Sequence, residues 1–320
     1  MKQLHLRICE FVTAAIFVLS ACTSPTSATS INLTAPGKTP PLTVEEHAVV
    51  EDAVDKPTHF EFNQRITPQV FEKRMALRNL IPEEKASGVN EVLKPFGYAL
   101  RHNPLLSSYI YQLFKDEQLV LDDVGPFWQA TRRADGADFM LPLEAGQGKL
   151  LLVSRDKMEE WSSVFPPPIY FGNELIAAQE DNGKVVVRRL ADDQVLYTQP
   201  VTSSPVEMPI KTFETWQGHW VLEADGVLVI DGKNINQQLG YEAIFNWVVL
   251  HGQPFFFFTK GQHTGILFAG KEQDAAYDEV IHYKCCEPAA FNPGNELSIV
   301  WFYALRDGMW YYVEAGIFNS

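Results

Sequence analysis

The sequence predicts a mainly β fold on the basis of three observations. Runs of aromatic and β-branched residues, which favour strands, recur from about residue 96 onward. Turn-forming sequences such as Asp-Asn-Gly and Arg-Asp-Gly separate these runs at intervals of about 8–15 residues. No long amphipathic helical pattern interrupts them. Typical runs are SYIYQLF (108–114), KVVVRRL (184–190), PFFFFT (254–259) and SIVWFYAL (298–305). We therefore assign residues 96–320 to one β-repeat domain.

A degenerate internal repeat appears within this domain. Trp220 and Phe256 begin equivalent apolar runs 36 positions apart, and the same spacing separates Tyr241 from Tyr277. Each unit reads as an apolar strand, a tight turn, a second apolar strand, a glycine, a polar spacer and a tyrosine next to an acidic residue. The clearest copies span residues 218–245 and 252–281, a half-copy spans 298–316, and weaker copies begin near Tyr109, Phe139 and Glu174.

This unit resembles the WG repeat and other β-propeller modules over residues 170–316. The resemblance implies that each unit packs against its neighbours, because one unit alone cannot bury both of its apolar faces. It implies a β-propeller-like domain of five to seven blades, in which radial closure leaves few unpaired edges. A β-sandwich or an open β-repeat array is the alternative.

Residues 58–95 predict a short helical lead-in. Thr67 followed by Pro68 is typical of a helix start, and a second helix is expected to begin at Pro82. Pro95 and Gly97 are expected to end that second helix.

The N-terminus has the layout of a secretory signal peptide, which we assign to residues 1–21. Lys2 and Arg7 precede the apolar run FVTAAIFVLSA, and small residues follow it. This run of 11 residues is shorter than the roughly 20 residues that a membrane-spanning helix needs.

The segment Leu19-Ser20-Ala21-Cys22 resembles the bacterial lipobox. The resemblance implies cleavage before Cys22 and lipidation of its thiol, which anchors the protein outside the cytoplasm to the cell membrane or outer membrane. An ordinary secretory cleavage with Cys22 merely nearby is the alternative. Residues 22–57, rich in Ser, Thr and Pro at their start, predict a tether between lipid and domain.

The formal net charge of −14 argues against nucleic-acid binding, which requires clustered Lys and Arg. It also argues against electrostatic docking on a membrane, so the expected membrane contact is through the lipid. No cofactor or metal is predicted.

Cys285 and Cys286 are the thiols left once Cys9 is removed and Cys22 is lipidated. Because they are adjacent, they are able to pair with each other in a strained vicinal disulfide. Two reduced, buried thiols are an equal alternative, and a redox or metal site with His282 is a third.

Aromatic residues near the C-terminus are candidates for a ligand-binding platform, with a core position as the alternative. They are Trp301, Tyr303, Trp310, Tyr311 and Tyr312. The four consecutive residues Phe255–Phe258 instead predict a strand buried on both faces.

The sequence lacks the nucleophile-elbow, HExxH, Walker and dinucleotide-binding signatures. It therefore favours a non-catalytic binding or scaffolding module whose ligand is an unidentified protein, peptide or glycan. A secreted hydrolase acting on a glycan, with carboxylates in a central channel, is the alternative. Convergent acidic residues with raised pKa values would favour the hydrolase.

Overall fold

Strands predominate in the computed structural model, which confirms the mainly β prediction. The structure describes residues 31–37, 39, 41–50, 82–103, 105, 111–124, 130–143, 149–154, 158–162, 166–202, 208–283, 293–296 and 299–317. The first strand, β1 (Thr43–Val50), precedes the main helix, α1 (Pro82–Leu93).

Helix α1 begins at Pro82, as expected, and a 3₁₀ turn, Lys94–Phe96, extends it to Gly97. Gly97 has a φ of +77°, and a Cβ placed there would lie 2.6 Å from Asp116 Oδ1. Only glycine fits this helix end, because the backbone is left-handed and the neighbour is close. The helix expected at Thr67-Pro68 lies outside the described residues.

Six sheets follow one another in chain order, and we call them blades 1 to 6. Blade 1 contains β2 (Tyr98–His102), β3 (Tyr111–Lys115) and β4 (Gln118–Val124). Blade 2 contains β5 (Thr131–Arg132), β6 (Asp138–Leu143), β7 (Lys149–Ser154) and β8 (Met158–Ser162). Blade 3 contains β9 (Ile169–Phe171), β10 (Glu174–Asp181), β11 (Lys184–Arg189) and β12 (Val195–Pro200).

The remaining blades carry the clearest repeats. Blade 4 contains β13 (Ile210–Trp216), β14 (His219–Ala224), β15 (Val227–Ile230) and β16 (Lys233–Asn234), and α2 (Ile235–Leu239) follows it. Blade 5 contains β17 (Ala243–Leu250), β18 (Gln253–Lys260), β19 (His263–Phe268) and β20 (Lys271–Tyr277). Blade 6 contains β21 (Glu279–Val280), β22 (Gly294–Glu296), β23 (Ile299–Arg306) and β24 (Met309–Gly316), together with β1.

Blades 1 to 5 are antiparallel meanders, and the first strands of blades 2, 3 and 4 (β5, β9 and β13) contact one another in turn. Blade 6 is completed by the N-terminal strand β1, which pairs with β24 from Thr43 opposite Gly316 to Val50 opposite Trp310. The fold is therefore a β-propeller with six blades in the part of the chain described. An N-terminal strand therefore pairs with the last strand of the domain and completes its final blade.

The structure differs from the expected tether over residues 22–57 at two places. Thr43–Val50 is a strand of blade 6, because β24 offers it a free edge. Farther upstream, Leu33 and Ala35 are buried, and the Ala35 N–H donates to Gln253 Oε1 at 2.8 Å. The rest of the expected tether lies largely outside the described residues.

The repeat is confirmed, since Trp220 and Phe256 occupy the second strands of blades 4 and 5. All four residues of Phe255–Phe258 are buried. Phe257 packs edge-on against Phe302 of blade 6 with ring centroids 4.7 Å apart, whereas Phe258 stacks on Tyr241 with ring centroids 4.0 Å apart. Neighbouring blades cover both faces of the strand, which explains its unbroken apolar sequence.

The two repeated tyrosines make matching contacts, which we call latches. In blade 5, the Tyr241 hydroxyl donates to Glu272 Oε1 of β20 at 2.9 Å. The Lys260 ammonium lies 3.4 Å from the same oxygen and 5.8 Å from the Tyr241 ring. The latch thus has three parts: a tyrosine at the blade junction, a glutamate of the fourth strand that accepts its hydrogen bond, and a cation at the end of the second strand.

Blade 6 repeats this latch with residues from both ends of the chain. The Tyr277 hydroxyl donates to Glu46 Oε1 at 2.8 Å, and Arg306 donates to both oxygens of Glu46. The Arg306 guanidinium lies 5.7 Å from the Tyr277 ring. Glu46 therefore occupies the place of Glu272, and β1 is the structural equivalent of a fourth strand.

Candidate functional site

The described residues enclose a cavity of about 550 Å³, here called the axial cavity. Its described walls come from β9, β13 and β17, the first strands of blades 3, 4 and 5, and from Asn295 in β22 of blade 6. Pro166 and Pro167, which precede β9, and Gly252, which follows β17, complete the described lining. The cavity therefore lies where strands of four blades meet, and its size is typical of a small-ligand site.

Strand β13 contributes more residues to the described wall than any other element. Phe213 and Trp216 are buried, while Lys211, Glu214 and Thr215 keep partly exposed side chains that line the cavity. Thr212 and Gln217 line it as well. The wall thus combines hydroxyl, amide and charged groups on a strand whose apolar residues hold it to the core.

Glu214 is the one carboxylate among the described cavity-lining residues. The Trp247 indole N–H donates to its Oε1 at 2.6 Å. Burial, and secondarily repulsion from Glu223, raises the pKa of Glu214 to about 7, although the indole hydrogen bond opposes this rise. Glu214 therefore changes charge near neutral pH.

Glu223 lies behind the cavity wall in β14 and is 1% exposed. A β-bulge between Phe245 and Val248 interrupts the ladder of β17, and Asn246 within it has a φ of +58°. The N–H groups of Asn246 and Trp247 point to the Glu223 carboxylate, at 3.0 and 2.8 Å. The carboxylate satisfies two donors that the bulge removes from the sheet.

Tyr283 completes this arrangement from the segment that follows β21. Its hydroxyl donates to Glu223 Oε1, and its ring lies 4.5 Å from the Lys211 ammonium. Burial raises the pKa of Glu223, and hydrogen bonds from Tyr283, Trp247 and Asn246, followed by the Lys211 charge, oppose the rise. Glu223 thus connects blades 4, 5 and 6 behind the axial cavity.

Two indole rings separate the cavity from the core. Trp216 and Trp247 pack edge-to-face with centroids 5.7 Å apart, and both are buried. The Trp216 N–H donates to the Gly252 carbonyl at 2.9 Å, and that of Trp247 is held by Glu214. Because both N–H groups are engaged, the rings fix the wall and the orientation of Glu214.

The aromatic side chains predicted as a possible platform do not line this cavity. Those residues are Trp301 and Tyr303 in β23, and Trp310, Tyr311 and Tyr312 in β24. Four of them are at most 8% exposed, and Tyr311 is part-buried beneath the Arg306 guanidinium at 4.8 Å. Four of them are buried and Tyr311 packs against the core, so they do not form an exposed surface.

The remaining predicted sites, Cys22, Cys285 and Cys286, lie outside the described residues. His282, the candidate third metal ligand, stacks on Phe245 with ring centroids 3.6 Å apart. Among the described residues, no three His, Cys, Asp or Glu side chains are grouped as a metal site would require. In the same part of the chain, no helix has the length and apolar character needed to cross a bilayer.

Sequence reasoning did not single out Glu214 or Glu223. The available signal is that each is a lone glutamate inside an apolar strand, in FETW and in HWVLEA. A charged residue in such a run is either buried with partners or directed into a cavity. Glu223 is buried with partners, and Glu214 is directed into the cavity.

No family model and no curated protein matches this chain. Solved structures with similar folds include the C-terminal WD40 domain of Sif2, with 10% identity, a TM-score of 0.32 and coverage of 69% of this chain and 85% of that one. Another is the β-propeller domain of Myceliophteria thermophila Cps50 (Swd1), with 12% identity, a TM-score of 0.31 and coverage of 66% and 77%.

Proposed function

We propose that this protein is an extracytoplasmic lipoprotein, anchored through Cys22, whose propeller is a non-catalytic binding module with the axial cavity as its ligand site. The lipobox-like segment supports the anchor. The observation that carries the binding role is the axial cavity, with hydroxyl, amide and charged groups on a rigid inner strand. Sites built on scaffold strands hold their groups more accurately than loops do.

The distribution of carboxylates favours binding over glycan hydrolysis. Glycosidases generally use two carboxyl groups on opposite sides of the scissile bond, about 5–10 Å apart. Glu214 faces the cavity, but Glu223 is buried behind the wall and engaged by two N–H groups and the Tyr283 hydroxyl. The second catalytic carboxylate is therefore missing from the described lining.

Hydrolysis remains the second candidate on one specific observation. A carboxyl group with a pKa of about 7 is suited to act as a general acid, which is the role that burial gives a catalytic glutamate. Release of reducing ends from neutral and acidic oligosaccharides, abolished in Glu214→Gln, would favour this candidate over the binding module.

A variant that fills the cavity tests the binding role. Val249 lines the cavity from β17, so Val249→Trp should obstruct it, whereas Val195 is 51% exposed on β12 and Val195→Trp is the matched control. The probes are a lysine-containing tripeptide, a neutral disaccharide and an acidic tripeptide, each titrated by calorimetry.

We expect at least one probe to bind the wild type and the control, and to lose at least tenfold in affinity in Val249→Trp. Circular dichroism checks that both variants fold. Equal binding to both variants places the ligand elsewhere, and no binding by the wild type to any probe rejects the cavity as the site.

A further inference from the structure

We infer that the axial cavity recognises a cationic organic group, an ammonium or guanidinium, through Glu214. The inference rests on the proposed function and specifies the ligand class for the same cavity. It is based on two observations. One oxygen of the Glu214 carboxylate has no hydrogen-bond partner among the described residues, and the neighbouring charged side chains interact with other groups.

The two oxygens of Glu214 have different surroundings. Oε1 accepts the indole N–H of Trp247 at 2.6 Å, which fixes the plane of the carboxylate. Oε2 has no hydrogen-bond partner among the described residues, and the side chain is partly exposed in the cavity lining. One oxygen is thus held by the protein and the other is available to a ligand donor.

The described groups near Glu214 do not neutralise the negative charge of its carboxylate. Lys211, on the same strand, holds its ammonium 4.5 Å from the Tyr283 ring and attracts Glu223. Glu223, on β14, repels Glu214, and the contact from β17 is the neutral indole of Trp247. A ligand cation would supply the missing opposite charge, and a charge-assisted hydrogen bond is stronger than a neutral one.

The rest of the lining suits an aliphatic or peptide chain that carries such a cation. Val248 and Val249 present apolar surface from β17. Thr212, Gln217 and Asn295 offer hydroxyl and amide groups to polar atoms of the same ligand. A lysine or arginine side chain with its flanking peptide groups has this combination.

Two matched probes test the inference: N-acetyl-lysine methylamide and its neutral analogue N-acetyl-norleucine methylamide. We expect the lysine probe to bind the full-length protein at least tenfold more tightly than the analogue at pH 8. Glu214→Gln should remove that preference, Glu214→Asp should retain part of it, and Glu180→Gln, on the exposed part of β10, should leave it unchanged.

Binding of the lysine probe should also strengthen about tenfold from pH 6 to pH 8, because Glu214 ionises around pH 7. This pH dependence should disappear in Glu214→Gln, a result that a merely structural role for Glu214 does not predict. Circular dichroism confirms that each variant is folded.

Equal affinity for the two probes, or an unchanged preference in folded Glu214→Gln, overturns the inference. If a disaccharide or acidic peptide binds and Val249→Trp blocks it, the cavity remains the binding site and only the ligand class is wrong. If no probe binds the wild type, the proposed function fails together with the inference.

Discussion

At the scale of single residues, Glu223 and Asn246 show how a local irregularity becomes a structural requirement. Asn246 adopts a left-handed conformation, which asparagine tolerates better than most residues. The resulting bulge leaves two backbone N–H groups without sheet partners, and the Glu223 carboxylate accepts both. A buried charge is tolerable here because several donors compensate for its loss of hydration.

Cys22 carries the residue-scale prediction about the membrane anchor. Cys22→Ser removes the thiol that accepts the lipid, so we expect loss of lipid labelling and release of the protein from the membrane fraction. Metabolic labelling with a palmitate analogue and membrane fractionation measure both effects.

Cys9→Ser is the matched control, since Cys9 lies within the predicted signal peptide. Labelling and membrane association that persist in Cys22→Ser would contradict the lipoprotein assignment. Loss of both in Cys9→Ser as well would point to a general secretion defect.

At the scale of elements, the strand β1 is held in blade 6 by pairing with β24 and by the latch at Glu46. Burial raises the pKa of Glu46, but hydrogen bonds from Arg306 and Tyr277 outweigh it and the pKa falls below its ordinary value. The latch therefore favours the ionised carboxylate, and it joins residues from both ends of the chain.

Glu46→Gln should lower the free energy of unfolding by about 1–3 kcal/mol, because Arg306 loses a part-buried charge partner. The equivalent change Glu272→Gln should cost less than about 1 kcal/mol, since the Lys260–Glu272 pair is more exposed. Urea denaturation measures both.

Glu180→Gln again serves as the control, with an expected change within about 0.5 kcal/mol. Equal losses in Glu46→Gln and Glu180→Gln would show that the latch does not stabilise the attachment of β1 to blade 6.

At the scale of the whole molecule, stability should depend on pH through the buried carboxyl groups. Burial raises the pKa of Glu214 to about 7 and also raises that of Glu223, so the folded state binds these protons more tightly than the unfolded state. The favourable contribution of Glu214 is complete below the ordinary carboxyl pKa and is lost as pH rises through about 7, and the contribution of Glu223 is likewise lost as pH rises through its raised pKa. The pKa of Glu46 is lowered instead, so its contribution to stability is present at neutral pH and is lost only in acid.

We therefore expect Glu214→Gln to become more stable relative to the wild type between pH 5 and pH 8, by on the order of 1–3 kcal/mol. Urea denaturation at pH 5, 6.5 and 8 measures the difference. A difference that stays constant across this range would show that Glu214 titrates normally.

Local patterns in the chain were sufficient to predict the strands, the turns and the repeat, because side-chain alternation and turn chemistry act over a few residues. The 36-residue spacing of Trp220 and Phe256 predicted equivalent strands, and Pro82 predicted the start of a helix. Both predictions are confirmed.

Long-range packing decided the remainder. Nothing near Glu46 indicates that β1 completes the last blade, because its partners Tyr277 and Arg306 are more than 200 positions away. The axial cavity likewise exists only where strands of four blades meet, and Glu214 faces it while Glu223, nine positions on, is buried. Two similar glutamates in similar strands have different roles because neighbouring blades determine what each one contacts.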